Sequence, residues 1–482
     1  MENAGSKPHL VLLSSPGLGH LIPVLELGKR LVTLFSFDVT VFVVASHSSP
    51  SETRVLQSAM TPKLVEVVEL PPVDISGLIG PGTAVVAQLC VMMREIRPIF
   101  RSAIYALKIR PSAVIVDFFG SESLVIAKEL GIPMFVYFPC NAWFVALTTY
   151  VPILDKVVQG QYIDQTEPFL IPGCRPIRPE DVVDPMIDRS DQQYLEYVHM
   201  GVEIPKCDGI LVNIWEDLQS TTIGAFRDSD LLGQVVKVPV FTVGPFTRTI
   251  ESPSTRLQIY NWLDKQPKVS VVYVSFGSGG TLSLDQMTEL AWALERSQQR
   301  FIWVVRPPTI KGRDGSFFTM GNGGDDMSIY LPEGFLTRTK EVGLVMPHWS
   351  PQSDILSHPS VGAFLSHSGW NSVLESITNG VPMIVWPLYA EQRLNATLLV
   401  EELGIAIRSK TLPSREVIGR EEIENLIRTI LVDEEGAKIR NRVKELKLSG
   451  EKALSKGGSS RNALSQVAQQ CQTSWERLKA KA

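Results

Sequence analysis

The sequence has few cysteines, and none of them stand in a pair typical of a metal or redox site. Its 482 residues include five cysteines, an odd number, and the spacing Cys-x-x-Cys does not occur. A disulfide-held secreted domain and a zinc-binding module are therefore disfavoured. We expect reduced thiols and a cytoplasmic protein.

Long apolar runs and an excess of charge of one sign are also missing. The first apolar run, residues 10–13, is too short for a signal peptide, and no run approaches the ~20 apolar residues of a membrane-spanning helix. Forty-six basic residues against 51 acidic ones give a net charge of −5. Nucleic acid and anionic membranes are thus poor partners. We expect a monomer that binds small molecules.

Short β-branched segments alternate with amphipathic stretches along the whole chain. The predicted strands are residues 10–13, 39–44, 64–70, 113–116, 134–137, 209–212, 240–243, 271–275, 301–305, 343–347, 363–365 and 383–385. Nearly continuous apolar strands separated by helical patterns indicate parallel sheets that are covered on both faces. The sequence therefore predicts an α/β protein with two doubly wound, Rossmann-like domains that face each other across a cleft.

A polar segment rich in Pro, Ser and Thr, residues 244–255, separates the two sets of strands. It predicts domains at 1–248 and 249–460, followed by a C-terminal helix, 461–482, that packs back on the first domain. Residues 307–326 are Gly- and Asp-rich and predict a long surface loop. In the helix after the first strand, Pro23 is expected in the first turn and Glu26 on the exposed face.

The motif Gly17-Leu18-Gly19-His20 follows the first strand and opens this helix. Such a turn suits close approach to a polar or anionic ligand. A dinucleotide fingerprint would need a third glycine where Ile22 stands and an acid at the end of the second strand, so a nicotinamide cofactor is disfavoured. We interpret His20 as a base that faces the cleft, although a capping or buried structural histidine is the alternative.

A second motif, Asp117-Phe118-Phe119, ends the strand predicted at 113–116. A carboxylate in this position costs several kcal/mol to desolvate unless it is paired. A histidine is a natural partner, since the carboxylate orients the ring and stabilises the imidazolium. The alternative is an Asp that caps the next helix. Phe118 and Phe119 would give the cleft an aromatic wall, unless they belong to the core.

The third motif begins where the strand predicted at 363–365 ends, at His367, before a helix that opens at 369–371. The free N–H groups and positive dipole end of this helix form an anion site suited to a phosphate. His367 and Ser372 add donors. Trp349 can stack a flat base, and Glu375 can accept from ribose hydroxyls.

Residues 349–392 together resemble the plant secondary product glycosyltransferase box, which begins Trp-x-Pro-Gln and ends Glu-Gln. The resemblance to plant family 1 glycosyltransferases covers essentially the whole chain, including the motif at His20, Asp117 and Phe276-Gly277-Ser278. The segments LIPGC at 170–174 and WPLYAEQ at 386–392 resemble the hydroquinone and monolignol glucosyltransferase branch. One departure is Ser350, where alanine is common.

The resemblance implies a GT-B fold and inverting transfer of glucose from UDP-glucose to a hydroxyl of a small phenolic acceptor. His20 would be the base and Asp117 its partner. The implied UDP-sugar contacts are Ser278, Trp349, Ser350, Gln352, His367, Trp370, Asn371, Ser372, Glu375, Glu391 and Gln392. For the acceptor, contacted by the N-terminal domain, we expect Phe118, Phe119, Trp143 and also Tyr389.

No cofactor and no metal are expected, because the helix start at 370–372 would meet the charge of the departing UDP. Asp228-Ser229-Asp230 resembles a metal-binding motif of other glycosyltransferases, but it does not end a strand. Two alternatives remain open: transfer to an aromatic carbon by the same base, and a nucleotide-sugar-binding protein without turnover. The latter would be expected to lack either His20 or Asp117.

Overall fold

The computed structural model describes residues 7–44, 64–80, 82–248, 259–308, 326–347, 350–412 and 416–481. The chain divides into two compact units, Met1–Thr247 with Lys452–Ala482, and Arg248–Glu451. The second change of unit falls inside the helix Glu434–Leu454, nine residues before the expected position at 460. A helix that runs unbroken from one unit to the other gives no change in composition to mark the boundary.

The first unit contains a parallel sheet of seven strands, in the order β3-β2-β1-β4-β5-β6-β7. Parallel pairing joins each neighbouring pair of strands. The strands are β1 His9–Ser14, β2 Asp38–Val44, β3 Glu66–Leu70, β4 Ala113–Asp117, β5 Met134–Phe138, β6 Gly209–Val212 and β7 Val240–Thr242. The α-helices of this unit are Leu18–Phe35, Val85–Glu95, Arg97–Ala106, Leu124–Leu130, Ala142–Val157, Gln192–Glu203, Ser220–Arg227 and Ser459–Lys481.

The second unit contains a parallel sheet of six strands, in the order β10-β9-β8-β11-β12-β13. The strands are β8 Val271–Ser275, β9 Arg300–Val305, β10 Gly343–Pro347, β11 Val361–Ser366, β12 Met383–Val385 and β13 Ala406–Arg408. Its α-helices are Leu284–Ser297, Phe335–Thr339, Gln352–Ser357, Trp370–Asn379, Gln392–Thr397, Arg420–Leu431 and Glu434–Leu454. Two fully parallel sheets with helical crossovers confirm the predicted α/β class.

The helix Leu18–Phe35 shows why the sheet of the first unit is buried. It packs Leu21, Leu25 and Leu27 into the same core as the apolar side chains of β1 and β2. Pro23 lies within this helix rather than in its first turn, and Glu26 is buried, not exposed as predicted. Glu26 tolerates burial because its carboxylate pairs with Lys29 Nζ at 2.8 Å.

The C-terminal helix Ser459–Lys481 contributes to the same core. Its buried side chains Leu464, Val467 and Cys471 pack with those of β1 and of the helix Leu18–Phe35. This packing places the helix in the first unit although the second unit precedes it in the chain. Among the described helices, none is long and apolar enough to cross a membrane. Most of the loop expected at 307–326 lies outside the described residues.

Candidate active site

His20 stands in the first turn of the helix that follows β1. The chain leaves the strand at Ser14 and turns at Gly17, whose φ of 101° is a conformation that side-chain-bearing residues rarely adopt. The helix begins at Leu18, and the His20 side chain keeps 15 % of its surface exposed. A short strand-to-helix turn of this kind fixes the imidazole at the carboxyl edge of the sheet.

Asp117 lies beside His20 because β4, which it ends, pairs with β1. Its Oδ2 atom is 3.3 Å from Nδ1 of His20. Asp117 has no exposed surface, and its side chain does not cap the short 3₁₀ helix Phe118–Ser123 that follows. The structure thus brings the two predicted residues together as a buried carboxylate and an accessible imidazole, and the capping interpretation of Asp117 is wrong.

Ser15 completes this pair, and sequence reasoning missed it. Its backbone N–H donates to Asp117 Oδ2 at 2.8 Å, and its hydroxyl donates a very short hydrogen bond to the same oxygen. Hydrogen bonds to a carboxylate are charge-assisted and favour its ionised form. The position of Ser15 before the proline and glycine of the turn was visible in the sequence, but its orientation toward a residue 102 positions away was not.

Phe118 and Phe119 lie next to the His20 ring. Their ring centroids are 5.4 and 5.3 Å from that of His20 and 4.3 Å from each other. Phe144, which sequence reasoning missed, packs its ring edge-on to Phe118 at 5.7 Å. The neighbouring Trp143 has no exposed surface, so its side chain presents nothing to a ligand in this structure. Phe118 and Phe119 are also buried, so the imidazole is bordered by an aromatic cluster that belongs largely to the core.

His367 follows β11, directly before the helix Trp370–Asn379 with its N-cap at Gly369. Its ring fits between two glycines. A Cβ atom on Gly277 would stand 2.5 Å from His367 Cε1, and one on Gly369 would stand 2.5 Å from Nε2. Burial, and to a smaller extent the nearby charge of Arg306, lowers the pKa of His367 to about 4. The ring is therefore neutral at neutral pH, and its Nδ1 lies 3.2 Å from Ser366 Oγ.

Gln352, Ser372 and Glu375 form one hydrogen-bonded group beside this helix start. Gln352 Nε2 donates to Ser372 Oγ at 3.0 Å and to Glu375 Oε2 at 2.8 Å. Burial raises the pKa of Glu375, and the hydrogen bond from Gln352 and the charge of Arg248 oppose this. The buried carboxylate is thus held in place and suited to accept hydrogen bonds from a ligand.

Ser350 occupies the position where the family commonly has alanine, and the structure gives its hydroxyl a partner. Ser350 Oγ and the buried Tyr273 hydroxyl share a hydrogen bond of 2.7 Å. Burial raises the pKa of Tyr273 to about 12, so the phenol is neutral and free to donate. Trp349, the expected base platform, lies outside the described residues.

Glu391 and Gln392 stand where the helix Gln392–Thr397 begins. The side-chain oxygen of Gln392 accepts from the backbone N–H groups of Leu388 and Tyr389, at 2.8 and 3.1 Å. Asn395 Nδ2 donates to Glu391 Oε1 at 3.2 Å. Gln392 therefore shapes the turn before its helix, and its amide nitrogen is the group left to meet a ligand.

The remaining residues expected at the donor, and Tyr389, which was expected at the acceptor, lie at the same edge of the second sheet. Trp370 is buried and Asn371 half-buried in the first turn of the helix Trp370–Asn379, Tyr389 is half-buried, and Ser278 is exposed in the loop after β8. Since β8 and β11 are neighbours, Ser278 and His367 follow adjacent strands. The six-stranded sheet thus gathers the donor-site residues that the structure describes at its carboxyl edge.

The Asp228-Ser229-Asp230 motif serves a turn. The Asp228 carboxylate accepts from the backbone N–H of Asp230 at 2.8 Å, and both side chains lie at the surface. Within the described ranges, no three His, Cys, Asp or Glu side chains come close enough together to hold a metal ion.

Comparison with known proteins identifies the family. A family model described as UDP-glucoronosyl and UDP-glucosyl transferase matches residues 250–438. The chain is 65% identical to "Anthocyanidin 3-O-glucosyltransferase 5" of Manihot esculenta, over 98% of this chain and 97% of that protein. It is 40% identical to "Hydroquinone glucosyltransferase" of Rauvolfia serpentina, over 96% and 97% of the two chains.

A solved structure shows the same fold. The crystal structure of TcCGT1 in complex with UDP is 46% identical in sequence, with a TM-score of 0.91 over 97% of this chain and 100% of that one. The predicted GT-B fold is therefore confirmed, as is the resemblance drawn from residues 349–392. The chain belongs to the plant family 1 UDP-glycosyltransferases and is a glycosyltransferase of plant secondary metabolism.

Proposed function

We propose that this glycosyltransferase moves glucose from UDP-glucose to a hydroxyl of a small phenolic acceptor, with inversion at the anomeric carbon. The observation that carries the proposal is the pair His20 and Asp117, 3.3 Å apart, bordered by the rings of Phe118 and Phe119. Two relatives are named for an anthocyanidin and for hydroquinone, both phenolic compounds.

His20 is the general base in this scheme. Its Nδ1 faces Asp117, so Nε2 is the nitrogen that takes the proton from the acceptor hydroxyl. The phenol oxygen forms its bond to the anomeric carbon as the bond to the UDP oxygen breaks on the opposite face. Asp117 then stabilises the imidazolium. Phenols suit a neutral imidazole because their pKa near 10 is far below that of an aliphatic alcohol.

The aromatic surface beside the base explains a preference for flat acceptors. The rings of Phe118 and Phe119 lie 5.4 and 5.3 Å from that of His20, centroid to centroid, and expose only 4% and 8% of their surface, so an acceptor would meet their edges. Aromatic pairs in offset or edge-on contact contribute about 0.5–1.5 kcal/mol beyond the area they bury. A phenol that packs there brings its hydroxyl toward the imidazole.

UDP-glucose is held by the second unit. Glu375 accepts from the ribose, the first turn of the helix Trp370–Asn379 meets the diphosphate, and Glu391 with the Gln392 amide nitrogen meets the hexose. We propose that no metal and no further cofactor take part, because backbone N–H groups and side-chain donors receive the leaving charge. We also propose a monomer in the cytoplasm.

The test is incubation of the purified chain with UDP-glucose and a panel of simple phenols, phenylpropanoids and flavonoids, with products identified by mass spectrometry. Wild type should form acid-labile mono-glucosides. His20→Ala should lose nearly all turnover while its affinity for UDP is kept, because the base acts in chemistry rather than in donor binding. His199→Ala is the matched control, since that imidazole is 45% exposed and pairs with Glu122 instead.

Three results would contradict the proposal. Turnover retained by His20→Ala on a weakly acidic phenol would exclude His20 as the base. Products that resist acid hydrolysis would show a carbon–carbon linkage. UDP binding without any turnover would indicate a nucleotide-sugar-binding protein.

A further inference from the structure

Arg306 stands directly after β9, at the same edge of the sheet as the diphosphate-binding residues. The strands β9, β8 and β11 are consecutive in the sheet, so Arg306, the loop 276–280 and His367 follow three adjacent strand ends. Side chains at neighbouring carboxyl ends of a parallel sheet share the crevice in which ligands bind.

The guanidinium of Arg306 is anchored to the loop after β8. Its Nη1 donates to the carbonyl oxygen of Gly277 at 3.3 Å and, through a very short contact, to that of Ser278. These bonds use one nitrogen of the five-donor fork and neutralise none of its charge. In the part of the chain that the structure describes, Arg306 has no carboxylate partner.

The electrostatic surroundings of Arg306 place its charge in the donor site. Arg306 lowers the pKa of His367, and Tyr389 raises that of Arg306, so both residues lie within electrostatic reach of Arg306. Desolvation lowers the pKa of Arg306, which stays charged because an arginine begins so far above neutral. A partly buried cation without a counter-ion is costly, and an anion would remove that cost.

The chemistry of the ligand points the same way. His367 is neutral at neutral pH, so it offers the diphosphate a hydrogen bond but no formal charge. The helix start of Trp370–Asn379 offers only a partial charge. A nucleotide diphosphate carries at least two negative charges, and one more develops on the leaving oxygen as the sugar departs. Of the residues expected at the diphosphate, His367, Asn371, Ser372 and Ser278, none carries a full positive charge.

We propose that Arg306 is the cation of the diphosphate site, pairing with the phosphate oxygens of the donor while it holds the loop 276–280 in place. This inference rests on the proposal that the donor is a UDP-sugar. No motif in the sequence indicates this role, because Arg306 lies 43 residues before the box at 349–392.

The experiment compares ligands that differ only in phosphate. Calorimetric titration of the full chain with UDP and with uridine is carried out for wild type, Arg306→Gln and Arg306→Lys at low and moderate salt. We expect Arg306→Gln to weaken UDP about ten- to a hundred-fold and uridine less than about two-fold. Arg306→Lys should bind UDP more tightly than Arg306→Gln, because it keeps the charge. If Arg306→Gln does not fold, the UDP affinity of Arg306→Lys is compared with that of wild type instead.

The matched control is Arg300→Gln. Arg300 begins the same strand at the opposite edge of the sheet and donates to Gln266 Oε1 at 2.9 Å, so its loss should change neither affinity. Equal loss of UDP and uridine binding in Arg306→Gln would mean that Arg306 only supports the loop, and the proposal would be overturned. An unchanged UDP affinity in Arg306→Gln would overturn it as well.

Failure of the proposed function would give titration results different from those that overturn the role of Arg306. If wild type binds pyrophosphate but not UDP, the nucleotide-sugar donor is wrong, and the same variants titrated with pyrophosphate decide on Arg306. If wild type binds neither, the diphosphate site itself is refuted, and Arg306 with it.

Discussion

The neutral state of His367 has a consequence for stability that can be measured. In the folded chain its pKa is about 4, against 6.5 for an exposed histidine. Below pH 6.5 the unfolded chain therefore binds a proton at His367 that the folded chain does not bind. The contribution of the neutral His367 ring to the free energy of unfolding is fully present above pH 6.5. It decreases as the pH falls and is lost completely below about pH 4.

The size of this loss follows from the two values. They differ by about 2.5 pH units, and each unit corresponds to about 1.4 kcal/mol, so the full loss is roughly 3 kcal/mol. At pH 5 the linkage relation gives roughly 2 kcal/mol, since the folded ring is still mostly neutral there. Such a loss is a large part of the stability of an ordinary domain.

The assay is urea unfolding of wild type and His367→Gln at pH 8 and at pH 5. Wild type should lose roughly 2 kcal/mol more than the variant between these conditions, because glutamine does not titrate. The difference between variants cancels the contributions of the other ionisable groups, including His9, whose pKa burial also lowers. Direct observation of the His367 Cε1 proton by NMR should show titration near pH 4.

The reasoning would be refuted if both proteins lost the same stability, or if the His367 ring titrated at pH 6 or above. A ring that is protonated near neutral pH would place a charge between Gly277 and Gly369 and would itself supply the cation that we assign to Arg306.

Three further predictions concern catalysis. Ser15→Ala removes one charge-assisted bond to Asp117 and should lower kcat about ten- to a hundred-fold with little change in KM for UDP-glucose, as steady-state kinetics will show; an unchanged kcat would contradict this. Excess EDTA should leave the rate unchanged, whereas a loss restored by magnesium or manganese would mean that Asp228 and Asp230 were wrongly dismissed. Wild type should prefer UDP-glucose over UDP-galactose about ten- to a hundred-fold in kcat/KM, and Gln392→His should narrow this gap; equal donor use by wild type would exclude it.

The sequence predicted the sheets well because buried parallel strands have a strong local signature. All twelve predicted strands agree with the structure to within two residues at each end, whereas β13, Ala406–Arg408, was missed. This strand has three residues and ends in a charged one, so no apolar run or alternation marks it. Glu26 was misassigned because a glutamate is normally exposed, and its i,i+3 spacing to Lys29 does not by itself indicate burial.

The candidate site was predictable where a motif carries it and unpredictable where tertiary pairing does. His20 and Asp117 each follow a recognisable strand, and the family resemblance predicted that they act as a pair. The orientation of Ser15 depends on the register of β1 against β4, which no local pattern encodes. The two ends of the Gln392 amide differ in role. Its oxygen accepts hydrogen bonds from the turn before the helix, and only its nitrogen is left for the proposed contact with the sugar.

Two glycines in distant motifs are needed for the same physical reason, the space taken by the His367 ring. Gly277 follows β8 and Gly369 follows β11, and a Cβ atom at either position would stand 2.5 Å from the imidazole of His367. Gly277 also has a φ of 74°, which disfavours any other residue. The ring is thus fixed by two backbone segments, and it directs its hydrogen-bonding edge without being charged.

The position of the His367 ring between Gly277 and Gly369 bears on which segments form the proposed donor site. Because Gly277 shapes one side of the His367 slot and the carbonyls of Gly277 and Ser278 hold Arg306, we place the loop after β8 in the proposed diphosphate site together with the box at 349–392. A substitution at Gly277 should therefore act on UDP binding through two routes, by displacing the imidazole and by moving the guanidinium. The box contains most of the residues that we propose to contact the nucleotide sugar, and the loop positions the neutral imidazole of His367 and the charged guanidinium of Arg306.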